Sequence, residues 1–336
     1  MPSTMIKIAA LSTLALTVAA TPVPSKTFAK RAAGCDPTKG HTSGYYGPGD
    51  KHEVDSNGAQ RYYGMYVPTD YDPNTPLPLI IDYHGHGGNP STQRDVSQYD
   101  TFQPAGFLVA YPAGLGSPSA WEGANYEGNA GADDIQFTLD LITHLEEQYC
   151  IDTDRIYASG KSNGAGFVGT LACDARANVF AAFAMSSAAL YTDNLSDSAR
   201  ECTPAKGDIP TPVFEVHGSA DTTIPYYPAD QDYLGGRLPA IPDWLNKWAS
   251  PDRDNAGAPV STQELGTTTN HTSYALENGN VVVQGILVDG MSHCWASTKY
   301  NADWDKKDST CIAPFDTTPL FIDFFNKWDV NGPRSS

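Results

Sequence analysis

RIYASGKSNGAGFVGTLAC, residues 155–173, reads as a strand, a sharp turn and a helix in immediate succession. Ile156 and Tyr157 give the first part its β character, while Phe167, Leu171 and Ala172 recur at helical spacing in the last. Between them stands Gly160-Lys161-Ser162-Asn163-Gly164, a Gly-x-Ser-x-Gly turn. A serine alcohol is a weak nucleophile. It has to be lifted clear of a sheet on a tight bend beside a base and backbone N–H donors, and small residues two before and two after the serine permit that bend. The flanks continue the pattern. LPLIIDYHG (77–85), GFLVAYP (106–112), AAFAMSSAA (181–189) and TPVFEVHG (211–218) are short apolar runs, and DDIQFTLDLITHLEEQYC (133–150) carries Ile135, Leu139, Ile142, Leu145 and Tyr149 on one helical stripe. Asp133 or Asp134 can cap that helix. VVVQGILV (281–288) reads as a late strand and TPLFIDFFNKW (318–328) as a closing amphipathic helix. Fully apolar strands separated by helices predict an α/β fold, a mostly parallel sheet with helices on both faces.

That order is the one found in the α/β-hydrolase fold, where an acid and then a histidine follow the nucleophile, each in a loop after a late strand. Asp221 meets the first condition, in HGSADTTIPY after VFEVHG, and His293 the second, in the Gly-containing loop after VVVQGILV. Ser162 is then the expected nucleophile, His293 the general base and acid, and Asp221 the carboxylate that orients the imidazole. His217, at the end of its strand, is expected to bond the backbone. Asp230 and Asp232 lack a preceding strand, and Asp289 reads as a turn residue. His144 lies in a helix pattern; His41, His52 and His271 lie in polar segments and are expected to be solvated. A developing oxyanion needs fixed N–H donors. These are expected from Asn163, directly after the serine, and from His86 or Gly87 in His84-Gly85-His86-Gly87-Gly88. That glycine-rich loop has no Gly-Lys-Ser/Thr ending, which argues against phosphate. No histidine or cysteine spacing suits a metal, and no cofactor is called for.

Lys7 precedes an apolar run from Ile8 to Ala20, the layout of a secretory signal over residues 1–20. TPVPSKTFAKR (21–31) follows and ends in Lys30-Arg31, a dibasic processing site, so a propeptide is expected and the catalytic domain assigned to 32–336. Of 21 basic and 39 acidic residues, four basic and no acidic ones fall within 1–31, leaving 17 basic against 39 acidic, a net charge of −22. Such a surface repels nucleic acid and anionic membranes, so neither is an expected partner. Six cysteines in a secreted, extracellular chain suggest three disulfides, with fifteen connectivities open. Asn194-Leu195-Ser196 and Asn270-His271-Thr272 are glycosylation sequons that fit exposed loops.

PLIIDYHGHGG, DDIQFTLDLI, CIDTDRIYASGKSNGAGF, HGSADTTIPY, LPAIPDWLNKWA, the His293 loop and DFFNKW stand in register through most of the chain. In these blocks the chain resembles the fungal feruloyl esterases of types C and D, relatives of the esterase/polyhydroxybutyrate depolymerase group. The resemblance implies that Ser162, Asp221 and His293 are catalytic. It also implies hydrolysis of the ester joining ferulate to arabinose on cell-wall xylan or pectin, with a feruloylated polysaccharide as partner; no linker or Cys-rich segment follows the closing helix, so no appended carbohydrate-binding module is expected. In tannase-like esterases a cysteine after the histidine bridges to one directly before the serine. Here Lys161 holds the latter place, so Cys294 is expected to pair with Cys311, Cys173 with Cys202 and Cys35 with Cys150. An aromatic acyl group calls for an apolar slot with a polar end. Trp121, Tyr126, Tyr226, Tyr227 and Trp295 are the candidates to line it, while Trp244 and Trp248, four apart, suit a helix's core face. Two other readings remain. An acetylxylan esterase or short-chain polyester depolymerase would use the same triad with a different acyl pocket, and an inactive carbohydrate-binding homologue would keep only the scaffold.

Overall fold

The computed structural model describes residues 32–334 apart from 40, 48–51, 103–105, 127–131, 194, 196–201, 203–208, 250–260, 265–268, 276–278 and 304–308. The expected signal and propeptide, and the Asn194 sequon, therefore lie outside the described residues.

Among the described residues, eleven strands form one sheet. They are β1 (Gly44–Tyr46), β2 (Glu53–Ser56), β3 (Ala59–Val67), β4 (Leu77–Tyr83), β5 (Leu108–Pro112), β6 (Ile151–Lys161), β7 (Phe180–Ser186), β8 (Val213–Gly218), β9 (Ser261–Glu264), β10 (Thr269–Ala275) and β11 (Val281–Val288). Their order is β1-β3-β5-β4-β6-β7-β8-β11-β10-β9, with β2 paired to β3. The six strands from β5 to β11 run parallel. β7 and β8 are buried at every position, as the apolar runs predict for strands covered on both sides. Antiparallel β1 and β3 flank one side and β10 and β9 the other. The Asn270 sequon lies on β10, opposite Leu287, and not on a loop. Thr269 and Thr272 favour a strand, but the segment has no apolar alternation to announce one.

Besides a single turn at Tyr99–Phe102, the helices among the described residues are α1 (Pro90–Ser97), α2 (Asp134–Gln148), α3 (Asn163–Ala172), α4 (Ile241–Trp248) and α5 (Thr317–Phe325). On the sheet, Ile80 pairs with Tyr157, and Tyr83 stands three positions further along β4, so Tyr83 and Tyr157 point to opposite faces. Phe167 of α3 packs edge-on against Tyr83 at 5.1 Å, and Phe325 of α5 stacks on Tyr157 at 4.7 Å. Helices thus cover both faces. Asp133 caps α2 by accepting the Gln136 N–H at 3.0 Å, and Ile135, Ile142 and Leu145 are buried as expected, whereas Leu139 is half-buried. Trp248 is buried on α4. The disulfides are Cys35–Cys150, Cys173–Cys202 and Cys294–Cys311. No helix among the described residues is long and apolar enough to cross a membrane.

Candidate active site

The loops after β4, β6, β7, β8 and β11 all leave the carboxyl ends of parallel strands, so they emerge at one rim of the sheet, where open α/β sheets place their ligands. Ser162 links β6 to α3 with φ 54° and ψ −119°. A non-glycine residue rarely adopts that backbone, and it persists only where the surroundings over-determine it. Here they do: the Ser162 N–H donates to Ser186 O at 3.0 Å, and its carbonyl accepts from Gly166 N and Ala189 N at 2.9 and 3.0 Å. A Cβ on Gly164 would lie 2.3 Å from Tyr83 O and 2.5 Å from His84 O. The small residues of the motif therefore let α3 close on the end of β4.

Asp221 and His293 meet at the same rim, with His293 Nδ1 2.7 Å from Asp221 Oδ2. Asp221 Oδ1 accepts the N–H groups of Thr223 and Ile224 at 2.9 and 2.8 Å, which fixes the carboxylate's plane. Burial works to raise the Asp221 pKa, but hydrogen bonds from His217 and His293 outweigh it and hold the group well below the usual carboxylate range. The acceptor is therefore ionised, and Nδ1 of His293 carries its proton and donates. Burial lowers the His293 pKa, the Asp221 hydrogen bond opposes, and the Lys161 ammonium pushes further down. A neutral imidazole with Nε2 unprotonated is the form that can take a proton.

His217 lies behind this pair, wholly buried. Its Nε2 meets the Ile224 carbonyl at 2.7 Å, the backbone partner expected of it, but its Nδ1 also meets Glu215 Oε1 at 2.7 Å. Its Nε2 is 3.4 Å from Asp221 Oδ2. Burial would lower this ring's pKa, yet the carboxylates of Glu215 and Asp221 raise it to about 10. An imidazolium thus stands between two carboxylates. Sequence reasoning passed over Glu215, although a lone carboxylate in VFEVHG two residues from His217 must share its face.

The expected oxyanion donors divide. Asn163 is the first residue of α3, where the backbone N–H has no intrahelical acceptor. Its side chain is locked, with Oδ1 accepting Trp121 N–H at 2.8 Å and Nδ2 donating to Trp121 O at 3.3 Å. Gly87 is not available: its N–H donates to Ser119 O at 2.7 Å, because the 115–120 ribbon closes over the loop. His86, one residue earlier, remains. Its loop is fixed by His84, whose Nε2 accepts Gly114 N–H at 2.9 Å, so Nδ1 carries the proton and donates to Gly85 O at 2.7 Å.

Of the aromatic candidates, Trp121 and Trp295 are wholly buried and present no ring face to a ligand. Trp121 stacks on Phe167 at 5.5 Å and Trp295 lies edge-on to Phe321 at 5.4 Å, and their N–H groups bond His84 O and Thr318 Oγ1. An apolar ring between a loop and a helix is worth more as core than at a rim. Tyr126 stacks on the His86 ring at 4.0 Å, Tyr226 lies 5.6 Å from the His217 ring, and Tyr227, 70% exposed, stands edge-on to Tyr226. Elsewhere, His41 is not simply solvated but stacks on Tyr149 at 4.2 Å, and His52 tilts against Tyr63 at 5.2 Å. Asp289 accepts from Ser219 Oγ at 2.9 Å, while Asp230 and Asp232 pair with Arg237.

Residues 62–231 match the family of esterase PHB depolymerases. Among curated proteins, the chain is 27% identical over 280 residues to a bifunctional acetylxylan esterase/xylanase of Neocallimastix patriciarum, covering 83% of this chain and 35% of that one. It is 32% identical over 252 residues to feruloyl esterase B of Piromyces equi, covering 72% of this chain and 44% of that one. The chain thus spans less than half the length of these two relatives. Acetylxylan esterase A of Aspergillus ficuum is 24% identical over 259 residues, covering 68% of this chain and 79% of that one. In fold, the acetyl xylan esterase from Aspergillus awamori superposes with a TM-score of 0.52 at 20% identity, covering 75% of this chain and 94% of that one.

Proposed function

The chain belongs to the esterase PHB depolymerase family, and from that premise we propose a secreted serine esterase that hydrolyses feruloyl esters of plant cell-wall polysaccharide. The observation that carries the chemistry is the ionised Asp221 holding the Nδ1–H of a neutral His293 at the rim where Ser162 stands in its constrained turn. In this reading His293 Nε2 takes the Ser162 Oγ proton as the oxygen adds to the ester carbonyl carbon. The N–H groups of Asn163 and His86 hold the resulting oxyanion. Collapse breaks the acyl–oxygen bond, and His293 returns its proton to the departing sugar alcohol. Water then repeats the sequence on the acyl-serine and releases the acid. Asp221 stabilises the imidazolium at each stage without taking a proton.

The feruloyl preference rests on the likeness to feruloyl esterase B and on the tyrosines that flank the site from two sides, Tyr126 on His86 and Tyr226 with Tyr227 beyond Asp221. Acetylxylan ester hydrolysis is the second reading, supported by the N. patriciarum and A. ficuum relatives. The two differ only in how the acyl group is accommodated. kcat/KM on methyl ferulate beside phenyl acetate, with Ser162→Ala as control, separates them. A ferulate preference lost in the variant supports the first reading and an acetyl preference the second. Turnover surviving in Ser162→Ala would remove the triad.

A further inference from the structure

One carboxylate ties together the two segments that this mechanism needs held in register. Asp303 Oδ1 accepts from Lys161 Nζ at 2.7 Å, and Lys161 is the residue directly before Ser162. Asp303 Oδ2 accepts the backbone N–H of Trp295 at 2.7 Å, two residues after His293. Both charged side chains are nearly buried, at 13% and 10% exposure. Asp303 is itself fixed, since its N–H donates to Asn301 Oδ1 at 3.0 Å and the buried Asn301 amide donates to Trp295 O at 3.1 Å. Charge-assisted hydrogen bonds sheltered from water are stronger than exposed ion pairs, and removing one partner leaves a poorly solvated charge.

We infer that Lys161 and Asp303 form an ionic clamp that fixes the His293 loop against the serine turn, which makes both positioning residues for the ester hydrolysis proposed above and rests on that reading. Neither touches the reacting atoms. They act by holding the distance between base and nucleophile, a distance on which an ångström of misplacement costs about a hundredfold in rate. The clamp also sets the charge seen by His293. The groups facing that ring are Asp221, Lys161 and Asp303, with the buried His217 behind Asp221; Lys161 lowers the His293 pKa while Asp303 and Asp221 raise it. The two members of the clamp therefore oppose one another at the base.

That opposition gives a test that general loosening would not mimic. kcat and KM for phenyl acetate and methyl ferulate are measured against pH in the wild type, Lys161→Met, Asp303→Asn and Lys161→Arg, with circular dichroism as the check on folding. The expected result is a kcat lower by about tenfold to a hundredfold in the Met and Asn variants, with KM changed less. The acid limb of kcat/KM moves to higher pH in Lys161→Met, where the imidazolium is easier to form, and to lower pH in Asp303→Asn. Lys161→Arg keeps most of the rate. Wild-type kcat with an unmoved acid limb in folded Lys161→Met overturns the clamp, as do limbs that move in the same direction. Should Asp303→Asn fail to fold, the Met and Arg variants still decide. The control Ser162→Ala separates the two levels: inactivity there alongside unaffected clamp variants removes the clamp and leaves the triad, whereas surviving activity removes the triad first.

Discussion

Ser162 holds a backbone that a non-glycine residue avoids, and the atoms around Gly164 show why the turn cannot relax. The carbonyls of Tyr83 and His84 occupy the space a methyl group would need, and both belong to the backbone at the end of the central strand β4. Gly164→Ala must push α3 off β4, at a cost of about 3 kcal/mol by the usual scale of overpacking. Thermal unfolding should show a clear drop in Tm with a matching loss of activity; a variant with wild-type Tm would mean that the turn has slack. The same scale fixes the acid limit of activity. The base proposed at His293 works only when neutral, and burial holds its pKa below the ordinary histidine value. A lowered pKa keeps the neutral form at lower pH, so the acid limb of kcat/KM should be centred below the ordinary histidine value of about 6.5. A limb centred above that value would contradict the assigned environment.

At the scale of elements, a buried ion pair joins β3 to α2. Arg61 Nη2 lies 2.9 Å from Asp134 Oδ1, its guanidinium sits 3.8 Å over the Phe137 ring, and Asp134 Oδ2 also accepts Glu122 N–H at 2.8 Å. Arg61→Met leaves the Asp134 carboxylate buried without its cation and should cost about 3 kcal/mol or more in denaturant unfolding. Adding Asp134→Asn removes the stranded charge while keeping an oxygen for Glu122 N–H, so the double variant should recover part of the loss. If it is no more stable than Arg61→Met, packing over Phe137 is the larger effect. The strands legible in the sequence were those whose burial on both faces made them mostly apolar, β4, β5, β7, β8 and β11, with the last part of β6 read from Ile156 and Tyr157. β9 and β10 were not legible, because STQE and TNHTSYA carry no apolar alternation. The site divides in the same way. Ser162, Asp221 and His293 stand out by their place after strands, whereas Asp303 lies 142 residues from Lys161 in a polar loop and carries no local signal. Trp121 and Trp295 were misread because residue type suggests stacking on a ligand as readily as on a core phenylalanine, and only their burial tells the two apart.

The whole molecule carries a net charge of −18 over its full sequence, and its buried titrating groups give stability a direction with pH. Burial raises Glu122 to about 8, and Glu215 with Asp221 overcomes burial to raise His217 to about 10. The folded state thus keeps a proton on Glu122 up to about pH 8 that the unfolded chain releases near the ordinary glutamate value, and keeps one on His217 that the unfolded chain releases near pH 6.5. Because the native state binds more protons, stability falls as pH rises across that window. Between pH 6.5 and 8 both act together. Below 6.5 Glu122 still acts and Asp82, raised by burial to about 6, acts with it, whereas His84, lowered by burial to about 4, opposes them. Tm should therefore be lower at about pH 8.5 than at about pH 6.5, and Glu122→Gln should narrow the difference; an equal or higher Tm at the alkaline value would count against these environments. The Cys35–Cys150 bridge has a separate consequence at this scale. Its two cysteines are 115 residues apart, and β1 to β5 and α2 all lie between them. A protease that cuts once anywhere inside that span leaves both pieces on one covalent framework. On a denaturing gel without thiol the nicked protein keeps its full mass, and only reduction releases two bands.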